Sequence, residues 1–462
     1  MSIDLKNIQK VYFIGIGGIG MSALARYFKA QGTVVEGYDK TETLLTQQLA
    51  KEGITVYYDI DTDHLTADTD IFIYTPAIKP EENEELAYLI EQEAPLYKRA
   101  EVLGAIAKDY KCIAVAGAHG KTSTATLVTH ILNHCGVGAS AFLGGISKNY
   151  NSNYIQGESE WLVVEADEYD RSFLQLNPYI SIITSVDADH LDIYNTKENV
   201  LESYKQFLQQ TDPQGAIIYY DNDENLRKMV ASIKKTPRVS YGVEDAADYT
   251  ADNISFKHGK FTFDVLKHGD DYISDMKLNI PGWHNLINAM AGITLAEILG
   301  LDMELVNEAT ASYMGVERRF EVHTYPECTI IDDYAHHPEE IKKTLDSVKR
   351  MYPNRKIMAV FQPHLYSRTQ HFYKEFAEAL SLANKVVLLP IYPAREQPIA
   401  GVSSEMILKE VKTASKQLIE YEDATSYVYL KSKTYPVVVI MGAGDIDKVA
   451  QKVLQKYKTL PA

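Results

Sequence analysis

Residues 114–127 read AVAGAHGKTSTATL, and the Gly-Lys-Thr within them is the end of a phosphate-binding loop. In the usual loop the first glycine precedes the second by about five positions. Here Gly117 stands three before Gly120. An apolar run, KCIAVA, precedes the turn and a helical run, STATLVTHIL, follows it. That context aims backbone N–H groups at phosphate oxygens, lets Lys121 reach the β/γ oxygens and places the Thr122 hydroxyl for Mg2+. The bland alternative is a glycine turn at a helix start that holds nothing.

A second cluster, GIGGIG, sets Gly15, Gly17, Gly18 and Gly20 between a strand and a helix, with Asp39 nineteen residues past Gly20. This is the dinucleotide fingerprint in its proper setting: glycines admit a diphosphate to the helix N-terminus, and the acid meets a ribose hydroxyl. A UDP-sugar presents the same groups as a nicotinamide dinucleotide, so the cluster alone leaves an oxidoreductase open. Two phosphate turns in one chain suit a simple dehydrogenase poorly, because it needs one.

Acids follow both turns. VVEADEYDRSF places Glu165, Asp167, Glu168 and Asp170 at the end of one apolar strand, and SVDADHLDIY places Asp187, Asp189, His190 and Asp192 at the end of another. Ligands of an open parallel sheet bind beyond the carboxyl ends of its strands. Acids there would repel one another and a triphosphate, so one or two Mg2+ ions are expected among them. Taken singly, either cluster also reads as a solvated loop.

The elements that position these residues alternate strand and helix almost throughout. VYFIGIG, TVVEGYD and DIFIYTPAI form a first series; KCIAVA, EWLVVEADE, YISIITSVDADH and GAIIYYDND a second; CTIIDDY, RKIMAVFQP, NKVVLLPIY and PVVVIMGAG a third. Between about 248 and 280 short alternating runs predict antiparallel strands. A length of 462 residues exceeds one ordinary core and matches three α/β units. The net charge of −17 argues against nucleic-acid or anionic-membrane partners. No apolar run approaches the ~20 residues of a membrane span. Three widely spaced cysteines indicate neither a disulfide framework nor a zinc site, and the start runs straight into a strand without a leader pattern, so a cytoplasmic protein is expected.

FIGIGGIGMSALA, AGAHGKTST, EADEYDRSFL, DADHLDIY, PGWHNLINAMA, GVERRFE, DDYAHHPEEI, FQPHLYSRT, YPAREQPI and GAGDI, in that order, resemble the Mur ligases over essentially the whole chain. The shortened glycine loop is similar to that family's version of the phosphate loop. The resemblance implies an α/β protein of three domains. Residues 1–107 would be a Rossmann-like UDP-sugar-binding domain. Residues 108–318 would be a central P-loop ATPase-type domain with a small antiparallel sheet. Residues 319–462 would be a Rossmann-like domain for the amino acid.

The resemblance also implies roles by position. Gly15, Gly17, Gly18 and Gly20 would lie at the sugar nucleotide's diphosphate, with Asp39, Thr75 and Arg99 along the nucleotide. Gly117, Ala118, His119, Gly120, Lys121, Thr122 and Ser123 would surround the phosphates of ATP. Thr122 would ligate one Mg2+, and Glu165 and His190 a second. Asn285 and Asn288 would reach the adenine, while Arg319 and Asp332 or Asp333 would reach ATP from the third domain. His337, His364 and Arg368, with Tyr334 and His336, would face the amino acid. Lys121, His190 and Arg319 would be catalytic.

The implied reaction joins L-alanine to the carboxylate of UDP-N-acetylmuramate through an acyl phosphate made from ATP, and the third domain would close to assemble it. Alternatives are a recycling ligase of the same family, which takes a preformed peptide, a nicotinamide-dependent oxidoreductase, and a noncatalytic nucleotide-gated binding protein. A monomer and a homodimer are both compatible with the sequence. Two features depart from or extend the pattern. Leu365 stands where many alanine-adding relatives have arginine, which leaves Arg368 more of the amino-acid carboxylate; other members of the larger family carry a carbamylated, metal-holding lysine beyond the Asp-His motif, and Lys205 stands fifteen residues after His190.

Overall fold

The structure is a computed structural model that describes residues 3–458 apart from 4, 6, 187–193, 195, 245, 258 and 395. His190 and the acids of the DADHLDIY motif therefore lie outside the described residues.

The first sheet holds β1 (Lys10–Ile14), β2 (Val34–Tyr38), β3 (Thr55–Tyr57), β4 (Ile71–Tyr74) and β5 (Leu96–Lys98), all parallel, in the order β3-β2-β1-β4-β5. β1 is buried on both faces, which is why KVYFI shows no polar alternation. Val11 and Phe13 pack with Leu24 and Phe28 of the helix Ile19–Ala30, while Tyr12 and Ile14 pack with Leu86 and Leu89 of the helix Glu84–Glu91. The strand order reverses between β1 and β4, so a crevice opens at the carboxyl end of β1, where GIGGIG begins.

The second sheet has β6 (Lys111–Ala116), β7 (Ser140–Ser147), β8 (Ser152–Ile155), β9 (Trp161–Glu165), β10 (Ile180–Ile183), β11 (Ala216–Tyr220), β12 (Arg238–Val243), β13 (Tyr249–Lys257), β14 (Lys260–Lys267) and β15 (Asp270–Leu278). Their order is β15-β14-β13-β12-β11-β10-β6-β9-β7-β8. The alternating runs between 248 and 280 are strands, but they continue this sheet: β13 pairs parallel with β12, and β14 pairs antiparallel with β15. Alternation reports a half-buried strand and says nothing about the direction of its neighbour. A further antiparallel pair, β7 with β8, closes the other edge.

The third sheet, β16 (Glu321–Thr324), β17 (Thr329–Asp333), β18 (Ile357–Phe361), β19 (Lys385–Leu388), β20 (Ser415–Leu418) and β21 (Val437–Met441), runs β16-β17-β21-β18-β19-β20. It is parallel except for β16, and apolar clusters cover both of its faces. Among the described residues no helix is long and apolar enough to cross a membrane.

Three sheets make two compact units. One comprises residues 1–255, 261–279 and 287–314, and the other residues 256–260, 280–286 and 315–462. Within the former, the helix Ile19–Ala30 packs on its own sheet and also on β7 and β8. Buried Arg26 binds Glu52 through Nε and Nη2, both at 2.8 Å, and donates to Asn153 Oδ1. Asn153 Nδ2 returns to Ile19 O at 2.6 Å and Ser22 Oγ at 2.9 Å. Arg26→Met should lower unfolding free energy by about 2 kcal/mol in urea titration, below the usual cost of breaking a buried pair because Glu52 is partly solvated. A change indistinguishable from exposed control substitutions would refute this.

Candidate active site

The second sheet delivers its glycine turn from β6, whose last five residues are buried. Gly117 has φ +135°, and a Cβ there would overlap Thr184 Oγ1. Gly120 has φ +81°, and its Cβ would stand 2.7 Å from Asn288 Oδ1. Both positions require glycine. Thr184 and Ser185, just beyond β10, clamp the turn. Thr184 Oγ1 donates to His119 O, Ala118 N–H donates to Ser185 O at 3.2 Å and His119 N–H donates to Ser185 Oγ at 3.2 Å. Two N–H groups of the shortened turn are thus spent within the protein. Those of the first helical turn are differently placed: Gly120 caps the helix Lys121–His134 and offers no side-chain oxygen to them.

Lys121 Nζ donates to Gly117 O at 2.7 Å and to both oxygens of Glu168 at 2.9 and 2.8 Å. Burial alone would lower the Lys121 pKa, but Glu168, Asp167 and Glu165 outweigh it and hold the ammonium above the ordinary lysine range. Thr122 Oγ1 donates to Glu165 Oε1 at 3.0 Å, and Gly144 N–H donates to Glu165 Oε2 at 2.8 Å. Thr122 and Glu165 therefore present hard oxygen donors side by side, the set that Mg2+ takes. Asn288 is buried against Gly120, and Ser123 O accepts from Tyr313 OH at 3.3 Å.

At the first glycine turn Gly15 has φ +89°, and its N–H donates to Tyr38 O at 2.8 Å. Gly18 caps the helix Ile19–Ala30 and donates to Gly15 O at 3.2 Å. Asp39 Oδ2 accepts from Gly17 N–H at 2.8 Å and Oδ1 from Thr41 N–H at 3.2 Å, so this carboxylate braces the turn. Thr75 lies beside Gly15, and the Arg99 guanidinium lies over Gly20, where a Cβ would come within 3.0 Å of Nη1. Gly15, Gly17, Gly20, Asp39, Thr75 and Arg99 are thereby gathered at one edge of the first sheet.

The unit containing the third sheet gathers the remaining predicted residues. The Arg319 guanidinium lies over the Tyr334 ring at 4.8 Å. Arg318 Nη2 donates to Gly442 O at 2.8 Å, and its Nε stands 3.6 Å from Asp332. Burial pushes Asp332 up to about 7 despite that arginine, and it also raises Asp333, which accepts from Thr344 Oγ1 at 2.5 Å. Asn285 Nδ2 donates to Pro281 O at 2.7 Å. His337 caps the helix Pro338–Met351, and its ring meets the edge of Phe372 at 5.0 Å. The His364 ring stacks on Tyr392 at 5.8 Å and stands 6.1 Å from that of His336. Arg368 lies on the helix Tyr366–Leu380, which opens after Leu365 at φ +73°. Its Nη1 is a buried donor with no hydrogen-bond acceptor among the described residues. Lys205 lies on the helix Lys197–Gln209.

Sequence reasoning missed the clamp, Thr184 with Ser185, and the Gly144 N–H that fixes Glu165. The signal for the clamp was a Thr-Ser pair directly ahead of the second acid cluster. Gly144 carried no signal, because its amide meets Glu165 only through the parallel pairing of β7 with β9.

His284 and His336 offer a test by pH. Burial holds each ring down to about 4, with Lys343 and Arg319 adding to the effect at His284. A histidine whose folded value is depressed contributes stability above its unfolded value near 6.5, and loses it as pH falls toward the folded value. Thermal unfolding should therefore show a smaller acid loss between about pH 6.5 and 4 in His284→Asn than in the wild type. Equal losses would refute it.

Three family profiles match the chain: Mur ligase family, catalytic domain, over residues 10–111; Mur ligase middle domain over 115–296; and Mur ligase, glutamate ligase domain, over 318–444. The chain is 42% identical over 457 residues to the UDP-N-acetylmuramate–L-alanine ligase of Christiangramia forsetii, covering 97% of this chain and 98% of that one. It is 43% identical over 452 residues to the ligase of the same name from Flavobacterium psychrophilum, again covering 97% and 98%. Among solved structures, the UDP-N-acetylmuramate-alanine ligase of Thermotoga maritima matches with TM-score 0.82 at 31% identity, over 97% of this chain and 99% of that one. A murein peptide ligase from Psychrobacter arcticus shares the fold with TM-score 0.72 at 23% identity, over 98% and 100%. With more than two fifths of its residues shared along nearly the full length of such relatives, the chain belongs to the Mur ligase family.

Proposed function

We propose that this chain is an ATP-dependent ligase that joins L-alanine to the carboxylate of UDP-N-acetylmuramate, releasing ADP and phosphate, in the building of peptidoglycan precursors. The observation that carries the reading is the constellation of Lys121, Thr122 and Glu165 around a glycine turn opening a helix, in a chain that also has a second, diphosphate-type turn. An oxidoreductase leaves that constellation without a purpose. The recycling ligase is the weaker alternative, because its likeness to this chain is the lower of the two at full length.

A carboxylate does not condense with an amine in water, because oxide is a poor leaving group. The muramoyl carboxylate oxygen attacks the γ-phosphorus of ATP, the bond to the β-phosphate oxygen breaks, and ADP leaves an acyl phosphate. Lys121 balances charge on the transferring group, and Arg319 is assigned the same task from residues 319–462. Thr122 and Glu165, with His190, would hold Mg2+, which neutralises phosphate charge when bound. The neutral alanine amine then attacks the acyl carbon, a tetrahedral intermediate forms, and phosphate departs with the acyl C–O bonding pair, taking up the proton that the amine nitrogen sheds. The buried Nη1 of Arg368, which has no acceptor among the described residues, suits the alanine carboxylate, and His337 and His364 are assigned to the same amino acid. Gly15, Gly17, Gly18, Gly20, Thr75 and Arg99 would cradle the sugar nucleotide. Asn285 and Asn288 would serve the adenine.

The corresponding division is residues 1–107 for the UDP-sugar, 108–318 for ATP and 319–462 for the amino acid. We place the reaction in the cytoplasm, where its nucleotides are made.

The test is purified protein with ATP, Mg2+ and UDP-N-acetylmuramate, each amino acid being offered separately and the products weighed. Alanine should give the sugar nucleotide extended by one residue; a product only with preformed peptide would overturn the reading. Arg368→Ala should raise the apparent alanine constant about tenfold or more, as for loss of a charge-assisted contact. If the constant moves no more than in exposed control variants, the amino-acid site is misplaced.

A further inference from the structure

We infer that Glu168 and Asp167, neighbours on one turn, couple the two nucleotide sites by each holding a cation that a phosphate will claim. The inference rests on the proposed function, because it takes both glycine turns to be nucleotide sites.

Among the described residues, three ion pairs converge on the turn after β9. Glu168 holds Lys121 at 2.8 Å, Asp167 stands 3.8 Å from Arg99, and Asp170 holds Lys98 at 3.0 Å. Lys121 belongs to the second glycine turn, whereas Arg99 lies over Gly20 of the first. The acids cannot move independently. Asp170 and Arg171 sit at φ +52° and +55°, a conformation that side chains rarely adopt. Asp167 Oδ1 accepts from Tyr169 N–H at 3.1 Å, Asp167 O from Phe173 N–H at 2.9 Å, and Glu168 O from the hydroxyl of buried Tyr194 at 2.6 Å.

A carboxylate that takes two charge-assisted bonds from a lysine does what a phosphate does: same charge sign, same N–H···O geometry. A triphosphate that reaches Lys121 must displace Glu168. That carboxylate is buried, and losing its ion pair with Lys121 is costly, so the turn shifts to rehouse it. The shift withdraws Asp167 from Arg99 and frees the guanidinium for a diphosphate. By linkage the reverse holds equally: a diphosphate that captures Arg99 loosens the turn and releases Lys121. Glu168 is on this account a positioning residue, acting through Lys121.

The experiment is calorimetric titration of UDP, and of a nonhydrolysable ATP analogue with Mg2+, each with and without the other. In the wild type each should strengthen the other about tenfold. In Glu168→Gln the analogue alone should bind about tenfold tighter, because the competing charge is gone, and the coupling should fall to within about twofold of unity. Asp167→Asn should tighten UDP alone and lose the coupling in the same way. A merely structural Glu168 would instead weaken the analogue when changed. Coupling that persists in both variants, or analogue binding in Glu168→Gln no tighter than in the wild type, overturns the inference. Should Glu168→Gln fail to fold by thermal unfolding, Asp167→Asn decides alone. A wild type that binds both nucleotides without coupling sinks this inference only; one that binds neither sinks the proposed function with it.

Discussion

Lys121→Ala is expected to cut ATP consumption by about three orders of magnitude, the upper range for removing one preorganised charge from a transferring group. Residues 117–123 hold no second lysine and no arginine. Gly117, Ala118 and Gly120 carry no charge, and the N–H groups of Ala118 and His119 are already bonded to Ser185. Three carboxylates, Glu168, Asp167 and Glu165, would then face the triphosphate with no ammonium among them. The same change deprives buried Glu168 of its cation, so unfolding free energy should drop by about 3 kcal/mol. UDP titration separates the two consequences: if the fold persists, the first glycine turn should bind UDP at least as tightly as in the wild type, because loss of Lys121 releases Glu168 as a bound triphosphate would. Turnover at wild-type rate would reject the phosphate-loop assignment outright.

Glu165→Gln should raise the Mg2+ concentration needed for half-maximal rate at least tenfold and slow the saturated rate by about a hundredfold. The carboxylate is held from both sides, by Thr122 Oγ1 at 3.0 Å and by Gly144 N–H at 2.8 Å. Glutamine can keep both contacts, its oxygen accepting from Gly144 N–H and its Nε2 donating to Thr122 Oγ1, but it brings no charge, so the substitution tests charge rather than placement. Thr122→Ala should shift the Mg2+ dependence in the same direction. Initial rates measured across a Mg2+ series decide the matter, and an unmoved midpoint would remove Glu165 from the metal site.

Much of this was legible in the sequence because glycine is informative where a turn allows nothing else. Gly117, Gly120 and Gly15 occupy backbone conformations that other residues resist, and each was picked out by its place between an apolar strand and a helix. Apolar runs such as KCIAVA and VYFI announced strands buried on both faces. What escaped notice depends on residues distant in the chain. Ser185 reaches Ala118 and His119 only because β10 lies beside β6, and no local pattern announces that neighbour. Asp39 shows a different limit. Its spacing predicts a ribose contact and says nothing of the bond that it accepts from Gly17 N–H. The division into packing units was equally hidden, because it depends on which faces of the helix Ile19–Ala30 are covered.

That helix has a consequence for cooperativity. Tyr27 and Phe28 sit edge to face, and Tyr27 reaches the rings of Phe142 and Tyr154 at 5.7 and 5.8 Å, so one continuous apolar interior runs beneath the first two sheets. Excising residues 1–107 would strip that interior open and leave a sticky fragment prone to aggregation. In scanning calorimetry the two sheets should melt as a single event.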